Sequence, residues 1–182
     1  MRNRWAFHGV FLVALALGGC GGSKMMDEME SHNSMVFGYI DMSDSPASEL
    51  AAFSLRQVAP KTDKPYWNMR VHEGVFYLEN VTPGSYQLNQ FGGPGGFFSS
   101  ASFYWFNFPR QSEGFRIRKP GIYYLGAFKY KKAGSFWNPK FDIEPVKSPS
   151  EREVIEKILE FSKDTKWEGQ LRSRASVLAR SK

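Results

Sequence analysis

Few side chains in this sequence offer acid–base or nucleophilic chemistry. Beyond residue 20 the histidines are His32 and His72, and the one cysteine in the chain is Cys20. A lone cysteine excludes Cys-rich zinc sites, and His72-Glu73 has neither an HExxH frame nor a second histidine at ligand spacing. A Ser–His–Asp triad using His72 stays open, because triads assemble from distant positions. No Gly-x-Ser-x-Gly elbow supports one. Asp41, Asp44 and Asp63 are loop carboxylates whose spacing fits no EF-hand calcium loop. Gly92-Gly93-Pro94-Gly95-Gly96 lacks the Gly-Lys-Ser/Thr of a phosphate loop, and Pro94 removes one backbone donor, so a flexible loop is expected. The expectation is no catalytic residue, no metal and no resident cofactor. A hydrolase or enzyme accessory subunit using His72 is the alternative.

Binding chemistry is better represented. Residues 97–108 read FFSSASFYWFNF. As a strand, this run places Phe103, Trp105 and Asn107 on one face and Tyr104, Phe106 and Phe108 on the other. A two-layer sandwich buries one face of each sheet. The first set is read as buried. The second set is then either core, covered by the C-terminal helices, or exposed. Phe97, Phe98, Tyr104, Phe106 and Phe108 are therefore the candidate partner-binding residues, with an envelope protein, a glycan or a lipid as occupant. Between residues 110 and 132 the bases Arg110, Arg116, Arg118, Lys119, Lys129, Lys131 and Lys132 face the single acid Glu113. Arg116, Arg118, Lys129 and Lys131 are candidate contacts for anions or lipid headgroups. A solvated strand edge guarded by lysine explains the same residues.

The elements that would carry these residues follow a leader-like N-terminus. Arg2 and Arg4 precede an apolar run over residues 10–17, which is too short to span a bilayer, and small residues follow up to Cys20. Leu17-Gly18-Gly19-Cys20 resembles the lipobox of bacterial lipoproteins. That resemblance implies a cleaved signal peptide over residues 1–19, a covalent lipid on Cys20 and a membrane partner. With Gly21 after the cysteine it implies the outer membrane if the host is Gram-negative. Loss of Arg2 and Arg4 lowers the formal charge of +6 by two, too little to argue for nucleic acid. Residues 20–34 are polar and read as a tether.

Residues 35–146 alternate in the manner of strands. Candidate strands begin at Met35, Glu49, Tyr66, Val75, Tyr86 and Ile122. In the last of these, Tyr123, Leu125 and Ala127 are expected to oppose Tyr124, Phe128 and Tyr130. Thr82-Pro83-Gly84 reads as a turn with φ > 0 at the glycine, making a hairpin or a corner between sheets. Phe76, Leu78, Val81, Pro83, Gly84, Tyr86 and Leu88 resemble the recurring phrase of carboxypeptidase-regulatory-like and transthyretin-like modules. The resemblance implies a mainly β fold: a transthyretin-like or Ig-like antiparallel β-sandwich, here with two C-terminal α-helices. It implies no activity. Over residues 147–182, Ser148-Pro149-Ser150-Glu151 reads as a helix start with Ser148 as N-cap, and Thr165-Lys166-Trp167-Glu168 as a second. The whole is expected to be a non-catalytic binding or scaffolding module of the cell envelope, with a lipid-contacting carrier as a further alternative.

Overall fold

Apolar residues recur mostly at spacing two between Met35 and Val146 and are rich in β-branched and aromatic types, so extended backbone dominates. The computed structural model describes residues 26, 30–95, 102–109, 114–135 and 138–180. Among them the strands are β1 (Ser34–Asp41), β2 (Ala52–Ala59), β3 (Tyr66–His72), β4 (Val75–Val81), β5 (Gly84–Pro94), β6 (Phe103–Asn107), β7 (Phe115–Ile117), β8 (Ile122–Ser135) and β9 (Asn138–Val146). The helices are α1 (Glu151–Leu159) and α2 (Lys166–Arg180). The chain is mainly β with two C-terminal helices.

Hydrogen-bonded neighbours follow the order β6-β5-β2-β3-β4-β1-β8-β9, with β7 paired to β5. The sheet curls at β3, whose residues Tyr66 to Met69 pair with β2 while Arg70 to His72 pair with β4. Curling brings β6-β5-β2 face to face with β4-β1-β8-β9. Across the gap Phe53 stacks on Phe76 at 4.0 Å, Phe106 meets Tyr130 at 5.0 Å and Phe108 meets Phe128 at 5.3 Å. The expected antiparallel pairing holds except between β1 and β8, which run parallel. Parallel neighbours need a long connection, and here the whole opposing layer supplies it.

Two irregularities reset which side chains face inward. Between Phe37 and Tyr39 of β1, β8 advances from Tyr124 to Ala127, and Gly126 adopts φ +113° in the resulting bulge. Tyr123, Leu125 and Phe128 consequently all pack on the inter-sheet core, where strict alternation would separate Leu125 from Phe128. At the β4–β5 corner the positive φ belongs to Asn80 (57°), not to Gly84. Gly84 is required for clearance instead, since a Cβ there would lie 2.7 Å from the Ala59 carbonyl oxygen. The Tyr86 hydroxyl donates to the Thr82 carbonyl at 2.8 Å and pins the corner.

A second core lies on the far side of β1 and β4. Met35, Phe37, Val75 and Tyr77 pack there against Val154, Ile155, Ile158, Trp167 and Leu171. Burial on both faces accounts for the unbroken apolar runs Met35-Val36-Phe37 and Val75-Phe76-Tyr77. Ser150 caps α1 and Glu153 closes the capping box. The cap therefore falls two residues beyond the expected Ser148, leaving Pro149 ahead of the helix. Thr165 turns its hydroxyl to the Ser162 carbonyl at 2.6 Å, so it is not the side-chain cap expected for α2. Met26 is buried in this second core, and the Glu30 N–H donates to Asn80 Oδ1 at 2.8 Å. The expected tether is thus attached to the domain at both points. Cys20 and the leader lie outside the described residues.

Candidate binding face

β6 pairs with β5 from Gln90–Asn107 to Pro94–Phe103, so its alternate residues point to opposite sides of one layer. Phe106 and Phe108 point inward and are each only 7% exposed. The Phe106 ring lies 5.2 Å from Phe91 and from Phe141. Tyr104 shares their face and packs on the same core. The opposite set is the accessible one: Trp105 is 58% and Phe103 44% exposed. This reverses the expected burial of Phe103 and Trp105, decides for core between the two readings of Phe106 and Phe108, and removes those two as partner contacts. The physical reason is the position of the helices. They cover the outer face of β1 and β4, so β8 and β9 cover the inside of β6 and nothing among the described residues covers its outside. Phe97 and Phe98 lie outside the described residues.

The exposed rings rest on glycine. Phe103 and Trp105 lie 4.7 Å apart, tilted by 40°. A Cβ on Gly92 would come within 3.0 Å of the Phe103 ring and 3.3 Å of the Trp105 ring. Gly92 to Pro94 therefore belong to a strand and not to the flexible loop expected. The chain ahead of β2 also crosses this end of β5. Ser48 N–H donates to the Pro94 carbonyl at 2.8 Å and Ala51 N–H to the Gly92 carbonyl at 2.9 Å. A side chain at Gly93 would collide with the Glu49 carbonyl.

Further along the same outer face the side chains are amides and hydroxyls. Gln90 Nε2 donates to Asn107 Oδ1 at 2.8 Å, and Asn89 Nδ2 donates to Ser54 Oγ at 3.0 Å. A shallow hollow of about 270 Å³ is lined by Ser54, Tyr66, Asn68, Asn89 and Gln90. Tyr66 is 57% exposed at its edge. Sequence reasoning missed Tyr66, Asn68, Gln90 and Trp105 as surface contacts. The available signal was charge: β6, β5, β2 and residues 66–69 of β3 contain one charged residue, Arg56.

The four candidate anion contacts are not assembled into one strip. Arg116 and Arg118 belong to β7 and its exit, beside Pro60 and Pro83. Lys129 and Lys131 lie on β8 in the other layer. Lys129 reaches Asp44 at 3.3 Å and Asp41 at 3.6 Å, and Lys131 reaches Glu144 at 2.8 Å. The hydrogen bond that Lys129 donates to Asp44, the charge of Asp44 and that of Asp41 raise the Lys129 pKa. Burial works against ionisation of Asp41, but the Ser43 N–H at 2.8 Å, the Ser43 hydroxyl and Lys129 outweigh it and hold the carboxyl below its usual value. These lysines are committed to acids.

An apolar cleft of about 870 Å³ opens between the layers, with Leu88, Phe108 and Phe115 on one wall and Leu125, Phe128 and Ile143 on the other. Tyr124, Lys147 and Glu151 are among its polar residues. Burial, reinforced by Glu151 and Glu153, pushes the Tyr124 phenol up to about 12, so it is neutral at physiological pH. His72 is elsewhere, with its ring edge-on to Phe161 at 4.6 Å and Nε2 4.0 Å from Glu73. Among the described residues no group of three or more His, Cys, Asp or Glu side chains is placed to hold a metal ion.

No family model matches the sequence, and no curated protein matches it. Among solved structures it is similar to a DUF3823 family protein from Bacteroides ovatus, at 13% identity and a TM-score of 0.26. The similarity covers 64% of this chain and 59% of that one. At a TM-score this low neither fold nor activity transfers from it.

Proposed function

We propose that the chain is a non-catalytic binding module of the bacterial envelope, transthyretin-like in its sandwich and anchored through lipid at Cys20. The outer face of β6-β5-β2 engages its partner. One observation carries the reading: Phe103 and Trp105 are large apolar rings left in solvent, side by side, on a sheet face almost without charge. Scattered exposed apolar residues need no explanation, but paired rings on a common face mark interaction surfaces. Anchorage at Cys20 also sets position. Six residue steps lead from Cys20 to the buried Met26, a reach of about 20 Å at full extension, so the domain stays close to the bilayer.

The test is a photo-crosslinking residue at position 105, illuminated in intact cells. An intermolecular adduct that is lost when the residue is moved to position 152, exposed on α1 away from this face, identifies the partner, and the absence of any adduct from position 105 overturns the reading. Mass spectrometry of the N-terminal peptide checks the lipid on Cys20, and Cys20→Ala should release the protein from the membrane fraction. The apolar cleft favours a second reading, a carrier that contacts lipid. Native mass spectrometry of the purified chain would then show a co-purified acyl species, displaced by Leu125→Trp. Retained function in His72→Ala excludes the hydrolase alternative.

A further inference from the structure

The geometry points to a neutral oligosaccharide as the ligand of this outer sheet face, an inference that rests on the binding-module reading above. In a chain with 23% charged residues, the strands that build the face carry only Arg56 and no acid. An anionic lipid surface or an acidic glycan calls for clustered cations; Lys129 and Lys131 are paired with acids in the other layer, and Arg116 and Arg118 lie at the Gly84 end of β5, far along the strand from Trp105 opposite Gly92. Sugar rings present C–H groups on one side and hydroxyls around their rim. Electron-rich aromatic faces attract the former. Hydroxyls both donate and accept, and side-chain amides answer them in both directions. The face offers both in order. Trp105 and Phe103 make an exposed platform over Gly92, where no side chain rises to block approach. Beyond it, Gln90 and Asn107 each spend one amide group on the other, as Asn89 spends its Nδ2 on Ser54, leaving the second group of each amide for a ligand. Tyr66 closes the far side of the hollow. From the platform on β6 to Tyr66 and Asn68, the far wall of the hollow on β3, is three strand spacings, about 14 Å, so a ligand that touches both is a chain of several sugar units and not a monosaccharide.

Affinity electrophoresis of the full chain in detergent, through gels holding soluble glucan, mannan or xylan, with heparin and polygalacturonate as anionic counterparts, tests the inference. Retardation by a neutral polymer is expected, with affinity about tenfold or more weaker in Trp105→Ala and the thermal midpoint unchanged. Asn68→Ala, which lies in the hollow and away from the platform, should weaken binding by a smaller factor. Retardation by the anionic polymers alone overturns the inference, as does neutral-polymer binding that Trp105→Ala and Tyr66→Ala leave intact. No retardation by any polymer, together with a protein adduct from the crosslinker at position 105, overturns the glycan assignment and leaves the binding module standing. No retardation and no adduct bring down both.

Discussion

Trp105 and Phe106 are adjacent in the chain, on the same strand, and have opposite fates. Phe106 is 7% exposed among Phe91, Tyr130 and Phe141, whereas Trp105 is 58% exposed over a glycine. The inner face of this layer holds the sandwich together. The outer face adds little to folding and is free to be selected for something else. The comparison teaches that aromatic content alone does not mark a binding site; what covers each face of the strand decides.

The sharpest way to break the comparison is to truncate the inner ring. Phe106→Ala should cost about 3–5 kcal/mol by loss of buried apolar surface and creation of a cavity, read as a fall in the denaturation midpoint. A loss below about 1 kcal/mol would mean that β6 is not locked between β5 and β8–β9. Gly93→Ala comes next. The crossing segment at Glu49 has to move to admit a methyl group, at about 1–3 kcal/mol as for other overpacked sites. The expected sign is the reverse of the usual gain on replacing glycine by alanine, so a stabilised variant would show that the crossing is loose.

Much of this arrangement was legible in the sequence. Tyr66–His72 and Val75–Val81 match the alternation read from their residues, and the apolar residues that recur at helical spacing after the two expected helix starts, Val154, Ile155 and Ile158 in one and Trp167 and Leu171 in the other, are the ones found buried. Alternation sorts β6 into two sets without saying which is inside, because that depends on whether the helices or β8–β9 lie over it. Local sequence holds no record of that choice. The bulge at Gly126 was invisible for a related reason: one inserted residue leaves the composition of β8 unchanged and moves Phe128 to the other face. The binding face itself had a readable signal, the absence of charge over strands that are distant in sequence, but only the strand order makes them neighbours.

Alkali separates the interior from the surface in another way. Burial raises the phenols of Tyr86 and Tyr130 in the inter-sheet core, and beside the helices it raises Tyr124 alone as far as about 12. The unfolded chain loses these protons from about pH 10, while the folded chain keeps them. Stability is therefore whole below pH 10 and declines as pH rises toward 12. Tyr124→Phe should flatten that decline by about 1 kcal/mol, after allowance for the partial exposure of the ring. Urea midpoints collected between pH 9 and 12 give the slope, and an unchanged slope in Tyr124→Phe would place the responsible phenols in the other core.

Trp105→Ala is expected to have the smallest effect on folding, about 1 kcal/mol or less, because its ring leaves solvent on one side only and its loss opens no internal cavity. The same substitution should have the largest effect on binding, since an exposed, rigid aromatic ring on a contact face is the kind of residue on which affinity concentrates. Phe106→Ala is the necessary companion. It loses binding only through unfolding, so at a temperature where both variants remain folded it should bind like the unaltered chain. If the two variants lost binding equally while folded, the two faces of β6 would be coupled, and the division between a structural inside and a functional outside would have to be abandoned.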